Sequence, residues 1–241
     1  MLPIRSGCAT DVGRWRSQNQ DSLYAADGLY LVADGMGGQP AGDVASKLAV
    51  AELTGGLAGE PPTPAAVQQA LARANQRLLD EGAQHPDRAG LGSTVTGLVA
   101  LAGGRWAVLN LGDSRVYRYA DGALGQLTVD HSAVQELVDA GLLDPVAARH
   151  HPRRNVVTRS LGVEPASKPD VWLRDPVPGE RFLLCSDGLT NELADPELAE
   201  LLGSIEDPQQ AADQLVRRAV QAGGRDNVTV IVVDVPADPE P

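Results

Sequence analysis

Four aspartates stand where apolar, strand-like runs give way to bends. Asp34 ends LYLVAD before Gly35, Asp187 ends RFLLCSD before Gly188, Asp113 ends RWAVLNLGD, and Asp226 lies in GGRDN just before VTVIVVD. A carboxylate that leaves a buried strand into a glycine-rich bend can reach a site with its backbone close by. If these carboxylates converge, electrostatics decides their chemistry. Two like charges ~4 Å apart repel by about 4 kcal/mol at an effective dielectric near 20. Several such pairs are intolerable against a domain's stability of ~5–15 kcal/mol unless protons or a cation neutralise them. Oxygen-only ligands select Mg²⁺ or Mn²⁺. Zinc does not fit, because His85, His131, His150 and His151 make no spaced cluster with Cys8 or Cys185. The chemistry expected of such a centre is metal-assisted hydrolysis of a phosphate ester.

Two further Asp-Gly pairs, Asp27-Gly28 and Asp121-Gly122, have short strands on both sides and read as hairpin turns. Strands are expected near 4–10, 22–26, 28–34, 94–101, 105–111, 115–120, 123–128, 156–160, 170–174, 181–186 and 228–235. Helical spacing appears near 41–55, 64–83, 131–140, 195–202 and 207–222, the last opened by Asp207-Pro208 and closed by Gly223-Gly224. Strands come in clusters joined by tight turns and helices arrive in pairs. That pattern argues for antiparallel sheets covered by helices, not a doubly wound parallel sheet.

The chain has 241 residues, enough for one domain with a large core, and no linker divides it. A single domain over 1–235 is expected, with a disordered tail at 236–241. The formal charge of −12 disfavours nucleic acid and anionic membrane as general partners. No apolar run reaches the ~18 residues of a membrane span and the N-terminus lacks a signal-peptide core, so a cytoplasmic monomer is expected. Cys8 and Cys185 read as small buried hydrophobes, without the setting of a nucleophile.

Eight motifs in order resemble the metal-dependent protein phosphatases of the protein phosphatase 2C type, in their compact bacterial form. They are GRWRSQNQDS (13–22), LVADGMGG (31–38), GSTV (92–95), NLGDSRVY (110–117), TVDHS (128–132), HPRRNVVTRSLG (151–162), LLCSDGLT (183–190) and GGRDNVTVIVV (223–233). The resemblance implies an α+β fold: a four-layer αββα sandwich of two antiparallel sheets face to face, with helix pairs outside. It implies Mn²⁺ or Mg²⁺ as cofactor, two core ions with a third beside them. By the same resemblance Asp34 bridges two ions, the Gly35 carbonyl binds one, and Asp187 with Asp226 complete the other. Asp113 resembles a ligand of the third ion, Asp21 an outer ligand acting through water, and Arg16 the arginine that grips substrate phosphate. The implied reaction is hydrolysis of phosphoserine and phosphothreonine in proteins, by direct attack of a metal-bridging hydroxide on phosphorus. The implied partners are phosphorylated proteins, including a bacterial-type Ser/Thr kinase and its substrates.

Met36 stands where many eukaryotic relatives carry a histidine proposed as general acid, so the acid is unassigned. Of the remaining candidates, His131 reads as structural, while His151 is balanced between a structural and a catalytic role. Residues 149–159 hold four arginines, two histidines and no acid. They are expected to form part of a flap, about 131–160, whose His151, Arg153 and Arg154 attract the doubly charged phosphate. Arg115 is expected to brace Asp113 or a turn, and Asn227 to fix the bend presenting Asp226. Two other functions compete: a catalytically silent binding module, which the intact Asp34, Asp187 and Asp226 disfavour, and a phosphatase dedicated to one regulatory partner.

Overall fold

The structure is a computed structural model that describes residues 4–38 and 41–236. It contains two antiparallel sheets. The first is built from β1 (Arg5–Asp11), β7 (Arg115–Ala120), β8 (Ala123–Gln126), β10 (Arg181–Cys185) and β11 (Val228–Asp234), in the order β1-β11-β10-β7-β8. The second takes β2 (Asp21–Ala26), β3 (Leu29–Met36), β5 (Val95–Ala100), β6 (Trp106–Leu111) and β9 (Asp170–Arg174) in that order, with the two-residue β4 (Gly92–Ser93) added to the end of β3.

The apolar runs are nearly continuous because both faces of each sheet are covered. Alternate residues go to opposite sides. Tyr30, Val32, Leu98 and Val108 meet Val116, Phe182, Leu184 and Ile231 between the sheets. Leu29, Leu31 and Ala33 point the other way, against α1 (Ala41–Leu57) and α2 (Pro64–Gln84). Leu183, Cys185 and Val230 likewise pack on α6 (Asp195–Ser204) and α7 (Pro208–Ala222). The result is the expected four-layer αββα sandwich. Its helix ends follow local chemistry: Thr63 caps α2 by accepting from Ala66 N, and Asp207 caps α7 by accepting from Gln210 N.

Asp27 and Asp121 adopt φ of 52° and 53°, as hairpin turns require. The expected strand at 156–160 does not form. That segment joins neither sheet and makes one isolated bridge, Ser132 with Val157. A β-rich composition without a neighbouring edge to pair with gives no ladder. The expected helix at 131–140 is the shorter α3 (Ala133–Asp139), capped by Ser132, and two single-turn helices were not foreseen, α4 (Pro145–Ala148) and α5 (Asp187–Thr190). Of the anticipated tail, residues 237–241 lie outside the described residues.

Candidate active site

The strand ends bring the aspartates together across the two sheets. Asp21 and Asp34 are direct partners in the β2–β3 register, and the side chains of one such pair lie on the same face. Asp34 is held by its backbone: its N–H donates to Thr94 Oγ1 at 3.0 Å, while its carbonyl accepts from Thr94 N at 2.8 Å and Ser93 Oγ at 3.0 Å. The GSTV motif is therefore a clamp on Asp34. Thr94 Oγ1 also pairs with Ser114 Oγ at 2.9 Å, which ties the clamp to the turn carrying Asp113. Gly35 must be glycine, because a Cβ there would overlap the Gly42 carbonyl oxygen.

On the other sheet, Asp187 opens α5 and Asp226 precedes β11. Gly188 lets these two approach: a Cβ on it would overlap the Asn227 carbonyl and come within 3.5 Å of Asp226 Cβ. Ser186 crosses between sheets, donating through Oγ to Asp21 Oδ2 at 2.8 Å. Asn227 is the hub of the constellation. Its Nδ2 donates to Val12 O (2.9 Å) and Gln18 O (3.0 Å), its Oδ1 accepts from Gln20 N (2.8 Å), and its N–H donates to Asp226 Oδ1 (2.9 Å). It thus fixes the Asp226 bend, as expected, and also the whole 12–20 loop. Asn227→Ala strips three hydrogen bonds from a buried position and is expected to cost about 3 kcal/mol, near 10 °C in melting temperature. Thermal denaturation by circular dichroism checks this; an unchanged midpoint refutes the hub.

The carboxylates behave as crowded charges. Burial, then Asp21, Asp187, Asp113 and Asp226, hold the Asp34 carboxyl well above the usual range. Asp113 is raised by burial, then by Asp187 and Asp130. Burial followed by Asp226 pushes Asp187 up to about 6, and burial raises Asp21 to about 7 against the pull of its Thr229 and Ser186 hydrogen bonds. Two buried oxygens, Asp21 Oδ1 and Asp187 Oδ1, have no hydrogen-bond partner. Buried polar atoms are rarely left so. Among the described residues no group of three or more His, Cys, Asp or Glu side chains is drawn tightly enough to hold an ion as placed. Protein donors occupy part of the carboxylates. Arg16 Nη2 donates to Asp226 Oδ2 at 2.7 Å, and Asn191 Nδ2 to Asp187 Oδ2 at 2.9 Å. Oxygen-only donors, orphaned acceptors and unrelieved repulsion together fit a hard divalent cation.

A cavity of about 840 Å³ opens from Asp113 and Asp187 and runs between the flap and α5–α6. Arg115, Arg149, Arg154 and Arg225 contribute cations to its wall, interspersed with Asp130, Glu192, Asp195 and Glu197. His151 and Arg153, expected to attract phosphate, are not on that wall. His151 instead accepts from Arg153 N through Nδ1 at 3.1 Å, closing a tight turn around Pro152. His131 is buried and doubly engaged, with Nδ1 accepting from Gly112 N at 3.1 Å and Nε2 against Asp170 Oδ2 at 3.2 Å. It braces the Asp113 turn from behind. Arg115 clamps Asp130 through Nε and Nη2 rather than Asp113 itself, and donates to Tyr117 OH. Ser186 and Asn191 were not singled out from sequence. Ser186 meets Asp21, 165 residues away, so no local pattern marks that contact, whereas Asn191 bonds Asp187 four residues back.

The family model for Protein phosphatase 2C matches residues 14–221. The chain belongs to the protein phosphatase 2C family. It is 39% identical over 236 residues to the serine/threonine protein phosphatase PstP of Mycobacterium tuberculosis, covering 97% of this chain and 45% of that protein. It thus spans under half the length of that relative. The serine/threonine phosphatase stp of Listeria monocytogenes is 35% identical, with 93% of each chain covered. Among solved structures, that of M. tuberculosis PstP superposes with a TM-score of 0.91 at 38% identity, covering 97% of this chain and 99% of the other. The PstP catalytic domain in complex with two manganese ions superposes with a TM-score of 0.89 at 37% identity, covering 97% and 98%. These likenesses extend across both sheets and all four helices of the outer layers, so the protein phosphatase 2C fold accounts for the strand order described above.

Proposed function

We propose that this chain is a metal-dependent protein-serine/threonine phosphatase whose divalent ions, Mn²⁺ or Mg²⁺, lie among Asp34, Asp187 and Asp226. The observation that carries this reading is the convergence of buried, mutually repelling carboxylates with partnerless oxygens on Asp21 and Asp187, beside a cavity that Asp113 and Asp187 help to line. Asp34 and the Gly35 carbonyl, with Asp187 and Asp226, hold the core ions; Asp113 with Asp187 holds a third, and Asp21 acts through water. When bound, the cations neutralise these carboxylates, make water acidic enough to attack phosphorus near neutral pH, and polarise the phosphate oxygens.

The chain's own residues do the positioning. Arg16 faces Asp226 and lies within the field of Asp34 and Asp187. With Asp226 holding a bound cation, the Arg16 guanidinium would be free to pair two phosphate oxygens with its planar fork. It then stabilises charge that grows on the phosphoryl group. Arg154 extends a positive approach along the flap. His131 has both ring nitrogens committed and is not available to protonate the leaving group.

In this reading residues 1–235 work as one catalytic domain with a flap at about 131–160. The substrates are phosphoproteins, including those of a bacterial-type Ser/Thr kinase, in cytoplasmic signalling. No helix among the described residues is long and apolar enough to cross a membrane. The deciding assay compares hydrolysis of a phosphothreonine peptide and an aryl phosphate with Mn²⁺ and with chelator. Turnover is expected only with metal. Metal-independent turnover, or none in either condition, overturns the reading.

A further inference from the structure

Trp15 is 78% exposed in a chain whose aromatic residues are only 3% of the sequence. No other ring is as exposed: Tyr30 and Trp106 are 3% exposed, Tyr117 and Phe182 are fully buried, and Tyr24, Tyr119 and Trp172 are partly buried. Trp15 belongs to none of the three apolar clusters among the described residues. A singly exposed apolar side chain needs no explanation by itself. Two independent features set this one apart.

The first is rigidity. The loop that carries Trp15 is strapped to the loop that carries Asp226. Arg14 N donates to Gly224 O at 2.7 Å, Gly13 N to Asp11 Oδ1 at 2.7 Å, and Asn227 Nδ2 holds the carbonyls of Val12 and Gln18 on either side. Gly13, at φ 76°, packs so closely on the Asp226 carbonyl that a Cβ would overlap it. The inner side of the loop is therefore filled by backbone, and the indole is presented outward from a fixed support. With its backbone fixed, the ring has only its own two side-chain torsions left to lose on binding.

The second is position. Trp15 immediately precedes Arg16, whose guanidinium reaches Asp226 at 2.7 Å and faces Asp34 and Asp187. Consecutive Cα atoms are about 3.8 Å apart in any trans chain, substrate included. A phosphorylated residue gripped by Arg16 therefore brings the next residues of its own chain within side-chain reach of the indole.

We propose that Trp15 reads an apolar side chain adjacent to the phosphorylated residue, making this phosphatase selective for phosphopeptides with aliphatic neighbours. The inference rests on the phosphatase reading and on Arg16 as the phosphate grip. Burying an aliphatic side chain against one face of the indole gains about the energy of a modest hot spot, equivalent to a ~10-fold preference. A glycine neighbour offers no surface to cover.

The test uses Mn²⁺-loaded full chain and two short phosphothreonine peptides, identical except for leucine or glycine on both sides of the phosphothreonine. Wild type is expected to favour the leucine peptide about 10-fold in kcat/KM, mainly through KM. Trp15→Ala is expected to erase that preference and Trp15→Phe to keep most of it. An unaltered preference in Trp15→Ala, or no preference in wild type, overturns the proposal. A second arm does not depend on turnover. Non-hydrolysable phosphonate versions of both peptides are titrated to saturation, followed by calorimetry, while tryptophan emission is recorded. A blue shift with the leucine peptide that is missing in Trp15→Phe supports the proposal, since Trp106 is buried and Trp172 packs at the inter-sheet core. An unchanged spectrum at saturation sinks it, as does a shift that follows protein concentration instead of peptide, which assigns the indole to a second copy of the chain. Absence of hydrolysis of any phosphate ester by wild type condemns the phosphatase reading instead, and the emission arm then still decides whether Trp15 meets the peptide.

Discussion

Asp34→Asn is expected to lower Mn²⁺-dependent turnover about 1000-fold, and to make the metal-free protein more stable. Both effects have one cause. Asp34 sits at the centre of the carboxylate cluster, facing Asp21, Asp187, Asp113 and Asp226. As a carboxylate it serves cation binding, and losing a preorganised charge at a reacting phosphate costs about 10²–10³ or more. Without a cation the same charge is a burden, and a neutral amide of the same shape removes it. Its backbone clamp by Thr94 and Ser93 is untouched by the substitution, so the fold is preserved. Each kcal/mol of relieved repulsion raises the melting temperature of a domain this size by about 2–4 °C. Steady-state kinetics and scanning calorimetry in chelator measure the two effects. Wild-type turnover in the variant removes Asp34 from the site; a lower melting temperature in chelator contradicts the account of crowded charges.

Saturating Mn²⁺ is expected to raise the wild-type melting temperature by about 10 °C at pH 8, since ligand at 100–1000 times its Kd adds about 3–4 kcal/mol to the folded state. The metal-free protein carries a matching pH signature. Folding raises Asp187 to about 6 and Asp21 to about 7, and lifts Asp34 and Asp113 too, from an unfolded value near 4. Between those limits the folded state binds more protons than the unfolded one, so stability must fall as pH rises. For Asp187 and Asp21 it is fully present below about pH 4 and lost as pH rises through about 6 and about 7. In chelator, their contribution therefore lowers the midpoint between pH 5 and pH 8, and Asp34 and Asp113 act in the same direction. The difference between wild type and Asp34→Asn over that range isolates it from other titrations. With Mn²⁺ the decline should vanish, because the cation replaces the protons. A midpoint in chelator whose pH profile is the same in wild type and variant would count against the cluster, as would the lack of any shift with metal.

Trp15 and Asn227 illustrate a different balance between the two kinds of information. Asn227 was readable as a bend former because GGRDN precedes an apolar strand, but not as a hub, since its partners Val12, Gln18 and Gln20 lie over 200 residues away in sequence. Asp27 and Asp121 were correctly separated from the functional aspartates, because a hairpin turn is a local event governed by positive φ and flanking strands. The 156–160 segment failed for the converse reason. Its β-branched residues satisfy a strand locally, yet a strand exists only where another edge accepts its hydrogen bonds.

The sequence by itself determined the apolar runs, the turns between them, the aspartates at the strand ends and the order of motifs that marks the protein phosphatase 2C family. These depend on residue type and near neighbours. Only the tertiary structure decided which carboxylates face each other, that Arg16 rests on Asp226, that Arg154 rather than His151 or Arg153 reaches the cavity wall, and that His131 is spent behind the Asp113 turn. Those outcomes come from the packing of two sheets whose strands interleave distant parts of the chain. Convergence of charges across that interface is a property of the fold, and no spacing along the chain encodes it.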